Sequence, residues 1–187
     1  MKKAVMIIAQ EMFRDEEYAE PKSILEQNGV EITTASSKAG PAKGKLGMST
    51  TADLPLTKVK PADYDAVIFV GGPGCYDYYE DPEALRIAKE AAGNNKIVGS
   101  ICSAGGILAN SGILKGKKAT VFPSEGALLK SKGAIYTGKH LEIDGNIITA
   151  DGPQAAKEFG EALAGALSSP LHPSPSAMER GISKTGG

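Results

Sequence analysis

Six short runs of apolar and β-branched residues, Ala4–Ala9, Val30–Ala35, Ala66–Val70, Ile97–Ile101, Ala119–Val121 and Ile147–Thr149, alternate with longer stretches of helical pattern. Runs without a polar face predict strands covered on both sides, and parallel neighbours require a crossover helix between them. The chain is therefore read as α/β, with a mainly parallel sheet and helices on both faces. Its 187 residues suit one domain with a substantial core. That domain is drawn over residues 1–167, followed by a Ser/Pro/Gly-rich tail over 168–187 that is expected to lie peripheral or disordered.

Helix signals fill the gaps. One helix is predicted from Asp15 to Asn28, ending at Gly29, with Pro21 expected to kink it or remove a turn. Asp81 before Pro82 reads as an N-cap for a second helix reaching Ala92. A third follows Cys102, a short one spans Ser124–Lys132, and another runs from Gly152-Pro153 to Leu167. Residues Lys38–Pro61 read as an irregular excursion with a small hairpin, and Asp144-Gly145 marks a second hairpin within Leu141–Ile148.

Composition excludes several function classes. The net charge is −1 and no Lys/Arg run is interleaved with aromatic residues, so no nucleic-acid partner is expected. Lys115-Gly116-Lys117-Lys118 reads as decoration of a turn between a helix and a strand. No apolar stretch approaches the about twenty residues that cross a bilayer, and the apolar run after Met1-Lys2-Lys3 is too short for a signal peptide. Two cysteines indicate no disulfide framework and point to reduced thiols in the cytoplasm. The segment Gly71-Gly72-Pro73-Gly74 lacks the ending of a P-loop and the spacing of a dinucleotide fingerprint, so neither cofactor nor metal is expected.

Chemistry concentrates where strands end. Cys102 stands between the run Ile97–Ile101 and a stretch of small helix-forming residues, with Ser100 and Ala104 two positions to either side. That is the outline of a nucleophile elbow, in which N–H groups opening the next helix act on the sulfur and on an oxyanion. The bland alternative is an inert core thiol. Gly71 and Gly72, after the third strand, could lend N–H groups to an oxyanion hole or simply form a tight turn. Glu17, in the first turn of the first helix, could exchange a proton with the thiol or merely favour the helix dipole. Cys75 is a candidate resolving thiol, or an inert side chain beside the glycine turn. His140-Leu141-Glu142 follows Cys102 as the His-x-Glu of class I glutamine amidotransferases does, but the short spacing and the hairpin location argue against a triad. His172, in the tail, is weaker still.

These segments together resemble the DJ-1/PfpI superfamily, the group of PfpI-type intracellular proteases and Parkinson-associated deglycase, over roughly Lys3 to Leu167. The pieces that carry the resemblance are Glu17 ahead of Ala19-Glu20-Pro21, Gly71-Gly72, and Ile101-Cys102 with Leu108-Ala109. Gly112 to Thr120 and Asp144-Gly145-Asn146-Ile147-Ile148-Thr149 before Gly152-Pro153 complete them. The resemblance implies a flavodoxin-like sandwich of the class I glutamine amidotransferase type. It also implies Cys102 as reactive cysteine, Glu17 as its partner, and Gly71, Gly72 and the Ser103 peptide as oxyanion hole. A homodimer or higher homo-oligomer and a role in stress response are implied with them.

Protease-like members of that group carry His directly after the cysteine, whereas this chain has Ser103. A hydroxyl cannot serve as the base that imidazole supplies near neutral pH. The resemblance then implies a glyoxalase III-like lyase or a deglycase hydrolase, with a small aldehyde or glycated compound as substrate. Two other readings stand beside it: a cysteine peptidase or amidase drawing on His140, and a redox sensor or chaperone whose Cys102 is oxidised beside Glu17.

Overall fold

The computed structural model describes residues 1–169. The tail beyond Ser169, with His172, lies outside the described residues. The strands are β1 (Lys3–Ile7), β2 (Glu11–Phe13), β3 (Glu31–Ser36), β4 (Gly40–Gly44), β5 (Ser49–Ala52) and β6 (Leu54–Pro55). They continue with β7 (Ala66–Phe69), β8 (Ile97–Ile101), β9 (Lys118–Ala119), β10 (Ile135–Tyr136), β11 (Leu141–Asp144) and β12 (Ile147–Ala150). The helices are α1 (Asp15–Gln27), α2 (Pro82–Gly93), α3 (Gly105–Ser111), α4 (Gly126–Ser131) and α5 (Ala156–Leu167).

Seven strands form one sheet in the order β11-β12-β8-β7-β1-β3-β6, parallel throughout except for the β11–β12 hairpin. Side chains alternate across this sheet and feed two cores, as the two-residue period of a strand requires. Val5, Ile7, Val67, Phe69 and Val98 pack with Ile87 of α2, Leu108 of α3 and Leu129 of α4. Ala4, Met6, Ile68, Ile97 and Ile101 pack on the other face with Tyr18 and Leu25 of α1 and Phe159 and Leu163 of α5. The expected flavodoxin-like sandwich is the one observed. Its direction of winding reverses at the β1/β7 boundary, so the loops after those strands border the crevice where such sheets place ligands.

Several local readings are corrected. The run Ala119–Val121 does not join the main sheet: only Lys118–Ala119 pairs, with β10, in a separate two-stranded ribbon. Just beyond it the Thr120 N–H bonds to Thr149 Oγ1 at 2.9 Å, a side chain rather than a strand carbonyl, which ends the pairing. The excursion Lys38–Pro61 is more regular than expected, because β4 and β5 form a hairpin and β2 adds a third strand beside it. Helix α1 runs through Pro21 unbroken. Pro21 lies against α5, where a Cβ on Gly160 would come within 3.0 Å of its Cα. Asp81 caps α2 as its sequence predicts, accepting from the Glu83 N–H at 2.8 Å.

Candidate active site

Cys102 is the first residue after β8 and has φ +59, a left-handed conformation that costs a non-glycine residue on the order of 1–3 kcal/mol. Ser100 and Ala104 beside it are fully buried, so the turn is pinned by small side chains packed on both flanks. The elbow read from the sequence is therefore present as geometry. Behind it a 3₁₀ turn over Cys102–Ala104 leads into α3, and the Phe122 N–H donates to the Cys102 carbonyl at 3.1 Å.

Glu17 and Cys102 converge over Gly71. A Cβ added to Gly71 would fall 2.6 Å from Glu17 Oε1 and 2.8 Å from Cys102 Cβ, so a glycine there keeps the two side chains in reach of each other. The Glu17 side chain is fully buried and neither oxygen completes a hydrogen bond of ordinary geometry. Burial pushes its pKa up to about 8, and the Cys102 thiol and the Gly71 N–H, both at less than ideal geometry, together with the positive charge of Arg14 pull it back only in part. At neutral pH Glu17 thus holds a proton. Burial, then the charge that Glu17 would carry if ionised, pushes the Cys102 thiol up to about 12, while the Ser103 N–H acts in the opposite sense. The pair keeps both protons at neutral pH until something accepts one.

The two glycines divide their labour. The Gly71 N–H faces Glu17, whereas Gly72 borders the open pocket with Cys102 and Ser103. Gly72 has φ +107, and a Cβ there would sit 2.5 Å from the Arg14 nitrogen and 2.7 Å from the Met12 carbonyl oxygen. No other residue fits that conformation and that spacing. Of the two glycines expected as oxyanion donors, Gly72 borders the pocket over Cys102, whereas the Gly71 N–H acts on the Glu17 carboxyl.

Ser103 is buried; its hydroxyl donates to the Gly72 carbonyl at 3.3 Å and lies 3.1 Å from Cys75 Sγ. Cys75 is fully buried and its thiol is pushed up to about 12 by that burial, a setting that suits packing better than redox exchange. His140 is not brought to the thiol. Its ring is exposed, its Nδ1 lies 2.8 Å from Asp151 Oδ2, and it borders a separate depression with Gln154, Ala155 and Glu158.

The pocket over Cys102 encloses about 260 Å³, and its walls include Arg14, Lys45, Tyr76, Phe122 and Pro153 besides the residues already named. Arg14, Lys45, Tyr76 and Phe122 carry no local motif, and only the folding of four distant segments around the elbow exposes their part. A larger cavity of about 560 Å³ opens at the amino ends of β8 and β12, between Lys89, Lys96, Lys117 and Asp144. It contains neither thiol nor imidazole, so size does not choose the site here; the strained cysteine does. Among the described residues no cluster of His, Cys, Asp and Glu could hold a metal ion, and no helix is long and apolar enough to cross a membrane.

The description of the family model that matches residues 2–166 is DJ-1/PfpI family. An uncharacterized protein of Methanocaldococcus jannaschii is 42% identical over 161 residues, which cover 84% of this chain and 78% of that protein. A deglycase of Pyrococcus abyssi is 30% identical over 149 residues, covering 80% of this chain and 90% of its own. The crystal structure of a ThiJ/PfpI domain protein from Brachyspira murdochii superposes with a TM-score of 0.87 at 35% identity, covering 88% of this chain and 95% of that one.

Proposed function

The chain belongs to the DJ-1/PfpI family, and from that premise we propose that it is a cysteine-dependent enzyme acting on small carbonyl compounds, a glyoxalase or deglycase working through Cys102 and Glu17. The observation that carries this reading is the thiol on a strained turn facing a buried carboxyl that is protonated at neutral pH. Such a pair suits addition to an aldehyde better than hydrolysis of an amide, because addition needs a proton shuttle between neighbouring atoms and no leaving-group acid.

With methylglyoxal the steps balance as follows. The Cys102 sulfur bonds to the aldehyde carbon while the thiol proton passes to the aldehyde oxygen, whose developing charge faces the Gly72 and Ser103 N–H groups. Glu17 then gives its own proton to the ketone oxygen and, as the carboxylate so formed, takes the hydrogen on the sulfur-bearing carbon to leave an enediol. It returns that hydrogen to the former ketone carbon and takes back the proton of the hydroxyl on the sulfur-bearing carbon, which yields the thioester of lactate and a protonated Glu17. Water cleaves the thioester, releasing lactate and restoring the thiol. In the deglycase form the sulfur would bond to the hemiaminal carbon of an early adduct as its carbon–nitrogen bond breaks, the departing amine carrying off the thiol proton, and the hemithioacetal left behind follows the same steps.

Lactate formation from methylglyoxal by the purified protein, lost in Cys102→Ala, is the expected result. Absence of both lactate formation and amine release from a methylglyoxal–arginine adduct by the native protein would overturn the reading. A peptidase would need a base that the pocket lining does not supply, and His140→Ala is expected to leave every activity unchanged. A homo-oligomer in the cytoplasm completes the reading, and sedimentation showing a monomer at all concentrations would remove the first of those two terms.

A further inference from the structure

Resting on that reading of the site, we propose that the pocket over Cys102 selects carbonyl compounds bearing an anionic group, a carboxylate or a phosphate, which Arg14 and Lys45 hold. These two are the charged side chains in the pocket wall, and no carboxylate stands there with them. Lys45 forms no ion pair among the described residues, and its backbone N–H, bonded to the Phe13 carbonyl at 2.8 Å, fixes where the side chain starts. Arg14 is held at both ends: its backbone N–H donates to the Gly71 carbonyl at 2.9 Å, and its guanidinium meets Glu16 through Nε at 2.7 Å and Nη2 at 3.3 Å. Among the described residues its third nitrogen, Nη1, has no acceptor.

Of the carboxylates nearby, only Glu16 meets a pocket cation, so the charge of Lys45 is left without an opposite partner in the wall. Asp15 is turned to the β4–β5 turn, where its oxygens accept from the Leu46 and Met48 N–H groups at 3.0 and 2.9 Å. Glu16 is the partner of Arg14, and Glu125 accepts from the Tyr76 hydroxyl at 2.8 Å outside the lining. Glu17, the carboxyl next to the sulfur, holds its proton at neutral pH. The remaining wall is apolar or aromatic, with Pro73, Tyr76, Phe122 and Pro153. A compound of few heavy atoms fits this volume, with its carbonyl over Cys102 and its anion toward the cations.

Iodoacetate and iodoacetamide react with a thiol by the same displacement of iodide and differ chiefly in charge, so their rate ratio at Cys102 reads the field in the pocket. Rates are followed by peptide-resolved mass spectrometry, which separates Cys102 from Cys75, with the uncharged thiol 2-mercaptoethanol as the reference. The expected ratio at Cys102 exceeds that of 2-mercaptoethanol, falls roughly three- to tenfold in Arg14→Gln and again in Lys45→Gln, and is kept by Arg14→Lys and Lys45→Arg. Added salt should shrink it. A ratio equal to that of 2-mercaptoethanol, or one that neither charge-removing variant moves, overturns the proposal. Lys45 is exposed, so its variants keep the test valid even if Arg14→Gln unfolds. Inorganic phosphate and acetate, each tested as a protectant against iodoacetamide, sort a phosphate-bearing substrate from a carboxylate-bearing one. Turnover of methylglyoxal is measured separately: a protein that passes the alkylation test and makes no lactate keeps the anion site and loses the glyoxalase reading.

Discussion

At position 17 a glutamate is buried with neither oxygen fully partnered, an arrangement that costs stability and marks the position as a candidate functional group. Glu17→Gln keeps the shape and removes the transferable proton, so turnover should fall by roughly 10²-fold or more while iodoacetamide still alkylates Cys102. Loss of alkylation in that variant would mean that Glu17 merely supports the elbow. Gly72→Ala places a methyl group where the Arg14 nitrogen and the Met12 carbonyl already stand, at a φ that alanine resists. It should lower the urea midpoint by the equivalent of about 2 kcal/mol or more and reduce turnover with it. At this scale the thiol was legible in the sequence, because an elbow is a local pattern of small residues around one nucleophile. The pocket cations were not. Arg14 and Lys45 are ordinary polar residues until β2 and the β4–β5 hairpin set them side by side.

Elements were read well where their determinants are local and poorly where a neighbour decides. The cap of α2 depends on Asp81 and Pro82 alone, and Asp81→Ala should lower stability by about 1 kcal/mol, seen as a fall in Tm with unchanged turnover. Tyr79 is a different case. It lies in the loop before α2, and its hydroxyl donates to the Ser103 carbonyl at 2.6 Å, tying that loop to the 3₁₀ turn behind the nucleophile. Tyr79→Phe should cost about 1 kcal/mol and reduce kcat more than it raises KM, because a loosened Ser103 peptide is felt when charge develops on the substrate oxygen. An unchanged kcat would leave Tyr79 a packing residue. The run Ala119–Val121 misled because its apolar residues serve a chain that crosses the end of the sheet, with Thr120 bonded to Thr149 and Phe122 to Cys102. Pro21 does not end α1, which continues past it to Gln27 and packs there against α5.

For the molecule as a whole, Glu17 sets a pH dependence of stability. Its folded pKa of about 8 lies above the ordinary carboxylate value of 4.5, so the folded state binds the extra proton between those limits. Stability from this group is fully present below the unfolded value and is lost as pH rises through the folded one. The native protein should therefore lose Tm between pH 5 and 9 by more than Glu17→Gln does, and parallel curves would refute the burial account. The sequence by itself determined the layered sheet, five of its strands and the main helices along the chain, the elbow, and the family pattern, because strand and helix periods, caps and small-residue turns are written in neighbouring positions. Only the tertiary structure decided that Gly71 lies against the Glu17 carboxyl and Gly72 against the pocket, that His140 turns to Asp151 away from the thiol, and that burial raises the pKa of Glu17. Those outcomes depend on burial and on which distant segments meet at the end of the sheet, quantities that no short stretch of sequence contains.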